Sequence, residues 1–341
     1  MKIKIFEAEQ WEHEAFDRLR ETNEVEIFRE QVTPENAGRH ADAEVVSPFI
    51  YSDLRAETLE MLPRLRFIAT RSTGYDHIDT AVCRERGIPV SNVPRYGENT
   101  VAEHVFGLLL AISHNLPEAI DRTRKGDFSQ EGLRGFDLIG KTLGVIGVGG
   151  IGRHVIEIAR GFRMRVLASD MRPDLEFARR LGFEYRGLDD VLRESDVLTL
   201  HVPANENTVH MMGPEQFRKM KDGVVIINTS RGSIIDVQAL IRAIADGKVA
   251  AVGLDVLDEE PAIREEAELL SSIFRKKYDL ETVLANSILL RLRNVIITPH
   301  SAFNTREAVQ RILKTTVENI NAFMEGRPQN LVGATKEEKA A

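Results

Sequence analysis

The chain has 341 residues, and at about 150 residues per domain this length predicts roughly two domains. Its 45 Lys and Arg residues against 53 Asp and Glu residues give a net charge of −8, which argues against a nucleic-acid binder. The hydrophobic fraction of 43% suffices for a sizeable core, and the single cysteine, Cys83, excludes an internal disulfide. No apolar run approaches the roughly 18 residues of a membrane span, so the sequence predicts a reduced, cytoplasmic protein.

Two sets of short apolar runs, separated by helical patterns, follow one another along the chain. The first set lies at residues 3–6, 25–28, 44–46, 67–70 and 89–90, and the second at residues 143–147, 165–169, 197–201, 224–228, 251–254 and 295–298. Strands that alternate with helices form parallel sheets, and runs rich in Val, Ile and Leu suit strands buried on both faces. The sequence therefore predicts two parallel α/β domains, although periodicity alone leaves a single barrel open.

A long helix is predicted between the two sets, over residues 99–116. A second helical pattern at residues 305–323 is expected to return the chain to the first domain. The charged segment 262–293 is predicted to be a surface or subunit-contact insertion, and residues 334–341 a frayed tail.

A glycine-rich run follows the first strand of the second set. It reads Gly147-Val-Gly149-Gly150-Ile151-Gly152 and leads into a helical pattern over residues 153–160. In a dinucleotide-binding turn such glycines make the tight turn, admit the pyrophosphate and let the helix pack on the strand, while the helix N-terminus binds the phosphates. Asp170, at the end of the next strand, can accept from both ribose hydroxyls, which favours NAD, although nearby Arg172 leaves NADP open. Together these features favour a dinucleotide site over a simple turn.

Polar residues follow the strands of the second set at their carboxyl ends, where ligands bind in open parallel sheets. They are Asp170, His201-Val202-Pro203, Thr229-Ser230-Arg231, Asp255 and His300. Hydride transfer to a keto acid requires a clamp for the carboxylate and a proton for the developing alkoxide. Arg231 supplies a planar cationic fork, His300 a proton donor near neutral pH, and Glu260 a carboxylate that could orient the imidazole.

Each of these three side chains also has a simpler explanation when it is considered alone. His300 could be a surface or core histidine, Glu260 part of a solvated acidic run, and Arg231 a surface residue at a helix start. Because all three residues are predicted to lie at one sheet edge, the catalytic interpretation is favoured. Spacing alone does not show that their side chains meet.

Eight different sequence motifs are distributed along nearly the whole chain. They are Arg71-Ser-Thr-Gly-Tyr-Asp-His-Ile-Asp79, Val101-Ala-Glu-His104, the run from Gly147 to Gly152, His201-Val-Pro203, Ile227-Asn-Thr-Ser-Arg-Gly232, Gly253-Leu-Asp-Val256, Glu259-Glu-Pro261 and Thr298-Pro-His-Ser-Ala-Phe303. With these motifs the chain resembles the D-isomer-specific 2-hydroxyacid dehydrogenases, and within them the D-lactate dehydrogenase branch.

The resemblance implies an α/β fold of two parallel-sheet domains. A Rossmann NAD-binding domain, residues 99–300, would be inserted into a discontinuous flavodoxin-like substrate domain, residues 1–98 and 301–341, with hinges near Asn99 and Pro299. It also implies an Arg–Glu–His catalytic set at Arg231, Glu260 and His300.

The resemblance further implies the ligand contacts. Asp255 would hold the nicotinamide carboxamide, and backbone N–H groups near Thr73 and Gly74 would bind the substrate carboxylate. The predicted cofactor-binding residues are Gly147, Gly149, Gly150, Ile151, Gly152, Asp170, His201, Val202, Pro203, Thr229, Ser230, Arg231, Asp255 and His300. The predicted substrate-binding residues are Thr73, Gly74, Tyr96, Arg231, His300 and Phe303.

We therefore expect an NAD-dependent reductase that converts pyruvate, or a similar small 2-keto acid, to the D-2-hydroxy acid. We expect no metal, no nucleic-acid or membrane partner, and a homodimer formed through the cofactor domains, with the helix from Asn99 as the candidate contact.

Departures from the lactate branch leave other substrates open. Tyr96-Gly-Glu-Asn99 stands where lactate enzymes often have Tyr-Ser-Pro, and Asn304 where they often have Tyr. Glyoxylate, hydroxypyruvate and bulkier keto acids are therefore alternatives. The residues after His300 disfavour 3-phosphoglycerate, and Glu260 disfavours the formate dehydrogenase branch. An NAD-sensing, corepressor-like binding protein is the alternative of another class.

Overall fold

The computed structural model describes residues 1–258 and 280–333. It divides into two compact units. Unit 1 combines Met1–Tyr96 with the chain from Thr305 onward, and unit 2 is Gly97–Asn304. Glu260 and most of the predicted insertion 262–293 lie outside the described residues, as does the predicted frayed tail. The boundaries fall within a few residues of those predicted, while the assignment of substrate and cofactor to the two units stays a prediction.

The strands and helices of the described residues are numbered in chain order. The strands are β1 (Lys2–Ile5), β2 (Glu24–Ile27), β3 (Val45–Ser47), β4 (Phe67–Ala69), β5 (Val90–Ser91), β6 (Thr142–Ile146), β7 (Arg165–Ser169), β8 (Glu184–Tyr185), β9 (Val197–Leu200), β10 (Val224–Asn228), β11 (Val249–Leu254), β12 (Val295–Ile297) and β13 (Leu331–Val332). The α-helices are α1 (Asp17–Arg20), α2 (Ala56–Glu60), α3 (Thr80–Glu85), α4 (Glu98–Ser113), α5 (Leu116–Arg124), α6 (Gly150–Gly161), α7 (Leu175–Leu181), α8 (Leu188–Glu194), α9 (Pro214–Lys219), α10 (Val237–Ala245), α11 (Leu280–Leu289) and α12 (Arg306–Met324). Short 3₁₀ helices cover Gln10–Phe16, Ala37–His40 and Gly232–Ile234.

Unit 1 is built on a six-stranded sheet with the order β13-β5-β4-β3-β1-β2. Its strands run parallel except for β13, which pairs antiparallel with β5. Helix α12 begins with a Thr305 side-chain cap and packs on this sheet, where Phe323 stacks on Phe67 with ring centroids 4.3 Å apart. The order of β1 to β5 is that of a flavodoxin-like fold, as predicted.

Unit 2 is built on a seven-stranded parallel sheet with the order β12-β11-β10-β9-β6-β7-β8. Its central strands β6, β9 and β10 are buried along their whole length, because apolar clusters cover both faces of the sheet. This order is that of the Rossmann fold. Two separate open sheets exclude the barrel, so the predicted fold class is confirmed.

The predicted helix over residues 99–116 is wrong as a single element. Helix α4 ends at Ser113, and Asn115 adopts a left-handed conformation with φ of 50° before α5 begins at Leu116. Pro117 in the first turn suits a helix start, where the missing N–H costs nothing. The two-residue strands β8 and β13 are too short to produce a periodic signal in the sequence.

Three further observations concern membrane-spanning helices, metal ligands and the single cysteine. Within residues 1–258 and 280–333, no helix is both long and apolar enough to cross a membrane. Among those same residues, no group of three potential His, Cys or acidic ligands is placed to hold a metal ion. Cys83 is buried, and this burial raises the pKa of its thiol to about 11.

Candidate active site

The glycine run forms a tight turn between β6 and α6. Gly147 has φ of 91°, and a Cβ atom there would lie 2.7 Å from the carbonyl oxygen of His201. At Gly152 a Cβ atom would lie 2.2 Å from the Gly147 carbonyl oxygen, so only glycine lets α6 pack this closely on the strand. Gly149 is the N-cap of α6 and has no side chain that could occupy the first N–H groups of the helix. The turn therefore has the geometry expected of a pyrophosphate cradle.

Two carboxylates lie against this turn. Asp170 accepts hydrogen bonds from the Val148 N–H at 2.7 Å and the Arg172 N–H at 2.7 Å. Each carboxylate oxygen retains a second lone pair, so Asp170 can still accept from a ribose hydroxyl. Glu98, the first residue of α4, is the second carboxylate, and a Cβ atom at Gly150 would lie 2.0 Å from its Oε1. A larger residue at position 150 would therefore require the Glu98 side chain to move.

Directly after the strands β9 and β10, two buried polar atoms have no hydrogen-bond partner among the residues that the structure describes. They are Nδ1 of His201, directly after β9, and Oγ1 of Thr229, directly after β10. The other ring nitrogen of His201, Nε2, lies 2.8 Å from the Thr199 hydroxyl. Burial lowers the pKa of His201 to about 3, so the imidazole is neutral. Buried polar atoms are normally paired, and these two suit a polar ligand at the sheet edge.

Arg231 is held by a side-chain-stabilised turn after β10. The Asn228 amide donates to the Arg231 carbonyl at 2.9 Å, and its oxygen accepts from the Ser230 N–H and hydroxyl at 3.0 and 2.7 Å. At Gly232 a Cβ atom would lie 2.0 Å from the Leu257 carbonyl carbon. The turn thus lies directly against the segment that leads towards Glu260, although Glu260 itself is outside the described residues.

His300 lies in a loop that is anchored to the end of β11. Its φ is 51°, and its N–H donates to the Thr298 carbonyl at 2.9 Å. The carboxylate of Asp255, which is only 1% exposed, accepts from the Ser301 and Ala302 N–H groups, each at 2.9 Å. Asp255 therefore holds this loop in place through two backbone hydrogen bonds, and this role does not depend on a contact with a cofactor.

The sheet of unit 2 brings three of the predicted catalytic and cofactor-binding residues to one edge. Strand β11 pairs with β10 on one side and β12 on the other, so Arg231, Asp255 and His300 follow three adjacent strands at one edge. Neighbouring strands lie about 4.8 Å apart, so the ends of β10 and β12 are separated by about 10 Å across the edge. The same edge holds the glycine turn, Asp170, His201 and Thr229. The same edge also holds Val202 and Pro203, which follow His201 in the sequence, and Ser230, which follows Thr229.

The predicted substrate residues are divided between the two units. In unit 1, the Thr73 hydroxyl donates to the Val93 carbonyl at 2.7 Å, and the Asn92 amide donates to the Thr73 carbonyl at 2.8 Å. Gly74 accepts from a serine hydroxyl through its carbonyl at 2.6 Å, and the Tyr96 carbonyl accepts from an arginine side chain at 2.6 Å. These loops follow the carboxyl ends of β4 and β5.

Phe303 belongs to unit 2, where its Cβ would lie 3.9 Å from a Cβ atom at Gly97. The remaining substrate residues, Arg231 and His300, are also in this unit.

Sequence reasoning missed three residues of unit 2. Asn228 ties down the Arg231 turn, Glu98 lies on the glycine run, and His104 contacts the His300 loop. The Nε2 atom of His104 lies 3.0 Å from the Thr298 hydroxyl and 3.5 Å from Asp255 Oδ1. Asn228 could have been found from its place at a strand end beside Arg231. Glu98 and His104 carry no such strand-end signal, because their partners are distant in the sequence. His104 does belong to the Val101–His104 motif, but that motif assigns it no role.

The site fits a dinucleotide. The turn leaves no room for a Cβ atom at Gly147 or Gly152, an acidic residue follows the second strand, and two buried polar atoms at the sheet edge have no partner among the described residues. A Rossmann sheet with such a turn indicates a dinucleotide-binding domain, and the polar residues at the same sheet edge suit an oxidoreductase.

Comparisons with known proteins identify the family. Residues 106–302 match the profile described as "D-isomer specific 2-hydroxyacid dehydrogenase, NAD binding domain". The D-lactate dehydrogenase of Escherichia coli strain K12 is 35% identical over 97% of this chain and 100% of its own length. The glyoxylate reductase of Korarchaeum cryptofilum is 34% identical over 97% and 96% of the two chains.

A solved structure agrees with this assignment. The D-lactate dehydrogenase of Aquifex aeolicus, crystallised with NAD and lactic acid, is 34% identical, with a TM-score of 0.84 over 98% of this chain and 100% of that one. The chain therefore belongs to the D-isomer-specific 2-hydroxyacid dehydrogenase family, and NAD is its cofactor.

Proposed function

We propose that this protein uses NADH to reduce pyruvate, or a similarly small 2-keto acid, to the D-2-hydroxy acid. The observation that carries the proposal is that Arg231 and His300 follow the two strands flanking β11, on the edge that holds the glycine turn. The 35% identity with a D-lactate dehydrogenase supports the choice of pyruvate.

The side chains divide the chemistry between them. NADH supplies a hydride to the carbonyl carbon of the keto acid. Arg231 binds the substrate carboxylate through parallel N–H groups and polarises the carbonyl. Protonated His300 gives its proton to the carbonyl oxygen, so that the C=O group becomes CH–OH. In this proposal the Glu260 carboxylate orients the imidazole, and in the oxidative direction neutral His300 accepts the proton.

A substrate panel tests the proposal. NADH oxidation would be measured with pyruvate, glyoxylate, hydroxypyruvate and phenylpyruvate, and the configuration of the product determined by chiral chromatography. We expect the highest kcat/KM with pyruvate, a D product, and weaker activity with NADPH because Asp170 repels a 2′-phosphate. Tight NADH binding without turnover of any 2-keto acid would contradict the proposal and favour the NAD-sensing alternative.

Glyoxylate reduction is the second candidate. A glyoxylate reductase matches this chain at 34% identity, almost as well as the D-lactate dehydrogenase. A kcat/KM for glyoxylate above that for pyruvate would favour this candidate.

We also propose a cytoplasmic homodimer. The apolar side chains of α4 are mostly buried within unit 2, so α4 offers less contact surface than predicted. Exposed apolar residues lie instead on and after α5, at Leu116, Ile120, Phe128 and Ile139. Sedimentation should give about twice the 38.4 kDa mass of one chain. A monomer at micromolar concentration would overturn this proposal.

A further inference from the structure

We propose that His104, in helix α4, is a positioning residue that holds the His300 loop in place through Thr298 and Asp255. For its effect on the reaction the inference rests on the proposed function. The contact network does not depend on that function.

Helix α4 packs directly across β11. A Cβ atom at Gly253 would lie 3.0 Å from the Cβ of Leu108, so the strand and the helix approach closely at this point. One turn before Leu108, the same helix face presents His104. Two residues beyond Gly253, the same strand face presents Asp255. The close packing thus places the imidazole over the buried end of the strand.

The hydrogen-bond directions in this network follow from the chemistry of the three groups. The Thr298 hydroxyl donates its one proton to Asp255 Oδ1 at 2.5 Å, because a carboxylate can only accept. Its oxygen must then accept from the Nε2–H of His104, which is 3.0 Å away. The same Nε2 lies 3.5 Å from Asp255 Oδ1. His104 is therefore the outer donor of a chain that ends on a buried carboxylate.

This chain anchors the loop on both sides of His300. Before it, Thr298 is held by its hydroxyl bond and by its N–H, which donates to the Leu254 carbonyl at 2.9 Å. After it, the N–H groups of Ser301 and Ala302 donate to the two oxygens of Asp255 at 2.9 Å. These anchors hold His300 at a φ of 51°, a conformation that L residues rarely adopt and that surrounding contacts must maintain.

Loss of the His104 donor leaves the Thr298 hydroxyl oxygen without the hydrogen bond that it accepts. The hydroxyl is then held less firmly against Asp255, which is 1% exposed and cannot recruit bulk water, so the hold of Asp255 on the loop weakens. The imidazole of His300 then deviates from the position that proton transfer requires. Misplacement by about 1 Å can reduce a rate by about a hundredfold.

The test compares His104→Leu, which has no donor, with His104→Gln, whose amide N–H reaches the Nε2 position. For His104→Leu we expect kcat to fall by about ten- to a hundredfold, with the Kd for NADH, measured by fluorescence titration, within about twofold of wild type. His104→Gln should recover most of kcat. His154→Leu is the matched control, because His154 is an exposed helix residue that contacts Glu157 on its own helix.

A second measurement does not depend on turnover. Hydrogen–deuterium exchange should show faster exchange of the Ser301 and Ala302 amides in His104→Leu, and wild-type protection in His104→Gln and His154→Leu. Unchanged exchange with unchanged kcat in His104→Leu would overturn the inference, as would a fall in kcat matched by weaker NADH binding. If wild type reduces no 2-keto acid, the proposed function fails, and the exchange data alone decide whether His104 holds the loop.

Discussion

The two sheets share a doubly wound order but differ at the point where that order reverses. In unit 1 this point lies between β1 and β3, and the Glu7 carboxylate there accepts from the N–H groups of residues 49–52 at 2.8 to 3.1 Å. Fully buried Arg71 donates to the carbonyls of Phe6 and Glu7 at 2.7 and 2.8 Å. The chain itself thus satisfies the four backbone N–H groups and Nη2 of Arg71, whereas Nη1 of Arg71 has no partner among the described residues.

In unit 2 the order reverses between β6 and β9, where glycine replaces side chains. Gly147 turns the chain against the His201 carbonyl, and Gly149 caps α6 without a side chain. Nδ1 of His201 is buried and has no partner within the described parts of the chain. Doubly wound sheets bind ligands at such points. The comparison teaches that the same topology is filled by the Glu7 carboxylate in unit 1, whereas glycines leave room for a dinucleotide in unit 2.

The largest expected effect concerns the chemistry of the unit 2 edge. Arg231→Ala should lower kcat/KM for pyruvate by about a thousandfold, because it removes a preorganised cation from the developing negative charge. Steady-state kinetics would measure the loss. Arg242→Ala, on the exposed face of α10, is the control. Near wild-type turnover by Arg231→Ala would refute the catalytic assignment.

The next effect concerns stability at the unit 1 edge. Glu7→Gln keeps one acceptor oxygen but places an NH₂ group against backbone donors, so it should lower the free energy of unfolding by about 2 kcal/mol. Urea denaturation would measure this change, with the exposed Glu14→Gln as control. We expect the Kd for NADH to stay at the wild-type value. Weaker NADH binding with unchanged stability would show that the two edges do not differ as described.

The smallest effect is a pH dependence caused by His201. Burial lowers its pKa from 6.5 to about 3, so the unfolded chain binds a proton in this range that the folded chain does not. Stability should therefore fall as the pH falls through this window, by about 1 kcal/mol between pH 7 and about pH 5.5. His77 and His40 also have pKa values lowered by burial and act in the same direction.

A variant isolates the contribution of His201. Denaturation of wild type and His201→Gln at the two pH values should show the smaller loss in the variant. Equal losses would mean that the His201 imidazole is not protected from protonation in the folded state.

Much of the fold could be predicted from local patterns. The buried strands β6, β7, β9 and β10 were found because continuous Val, Ile and Leu runs mark strands covered on both faces. The break between α4 and α5 was missed because apolar periodicity continues across Asn115, whose positive φ leaves no clear pattern. In the site, Arg231, Asp255 and His300 were found because strand ends are recognisable, and their catalytic roles stay predictions.

The sequence by itself determined the glycine turn, the alternation of strands and helices and the polar residues at strand ends, because these depend on neighbours within a few positions. Only the tertiary structure decided which strand ends meet and what supports them. His104 contacts Thr298 from 194 positions away, and Glu7 binds residues more than 40 positions further on. Such contacts arise when separate elements pack, and no local pattern records them.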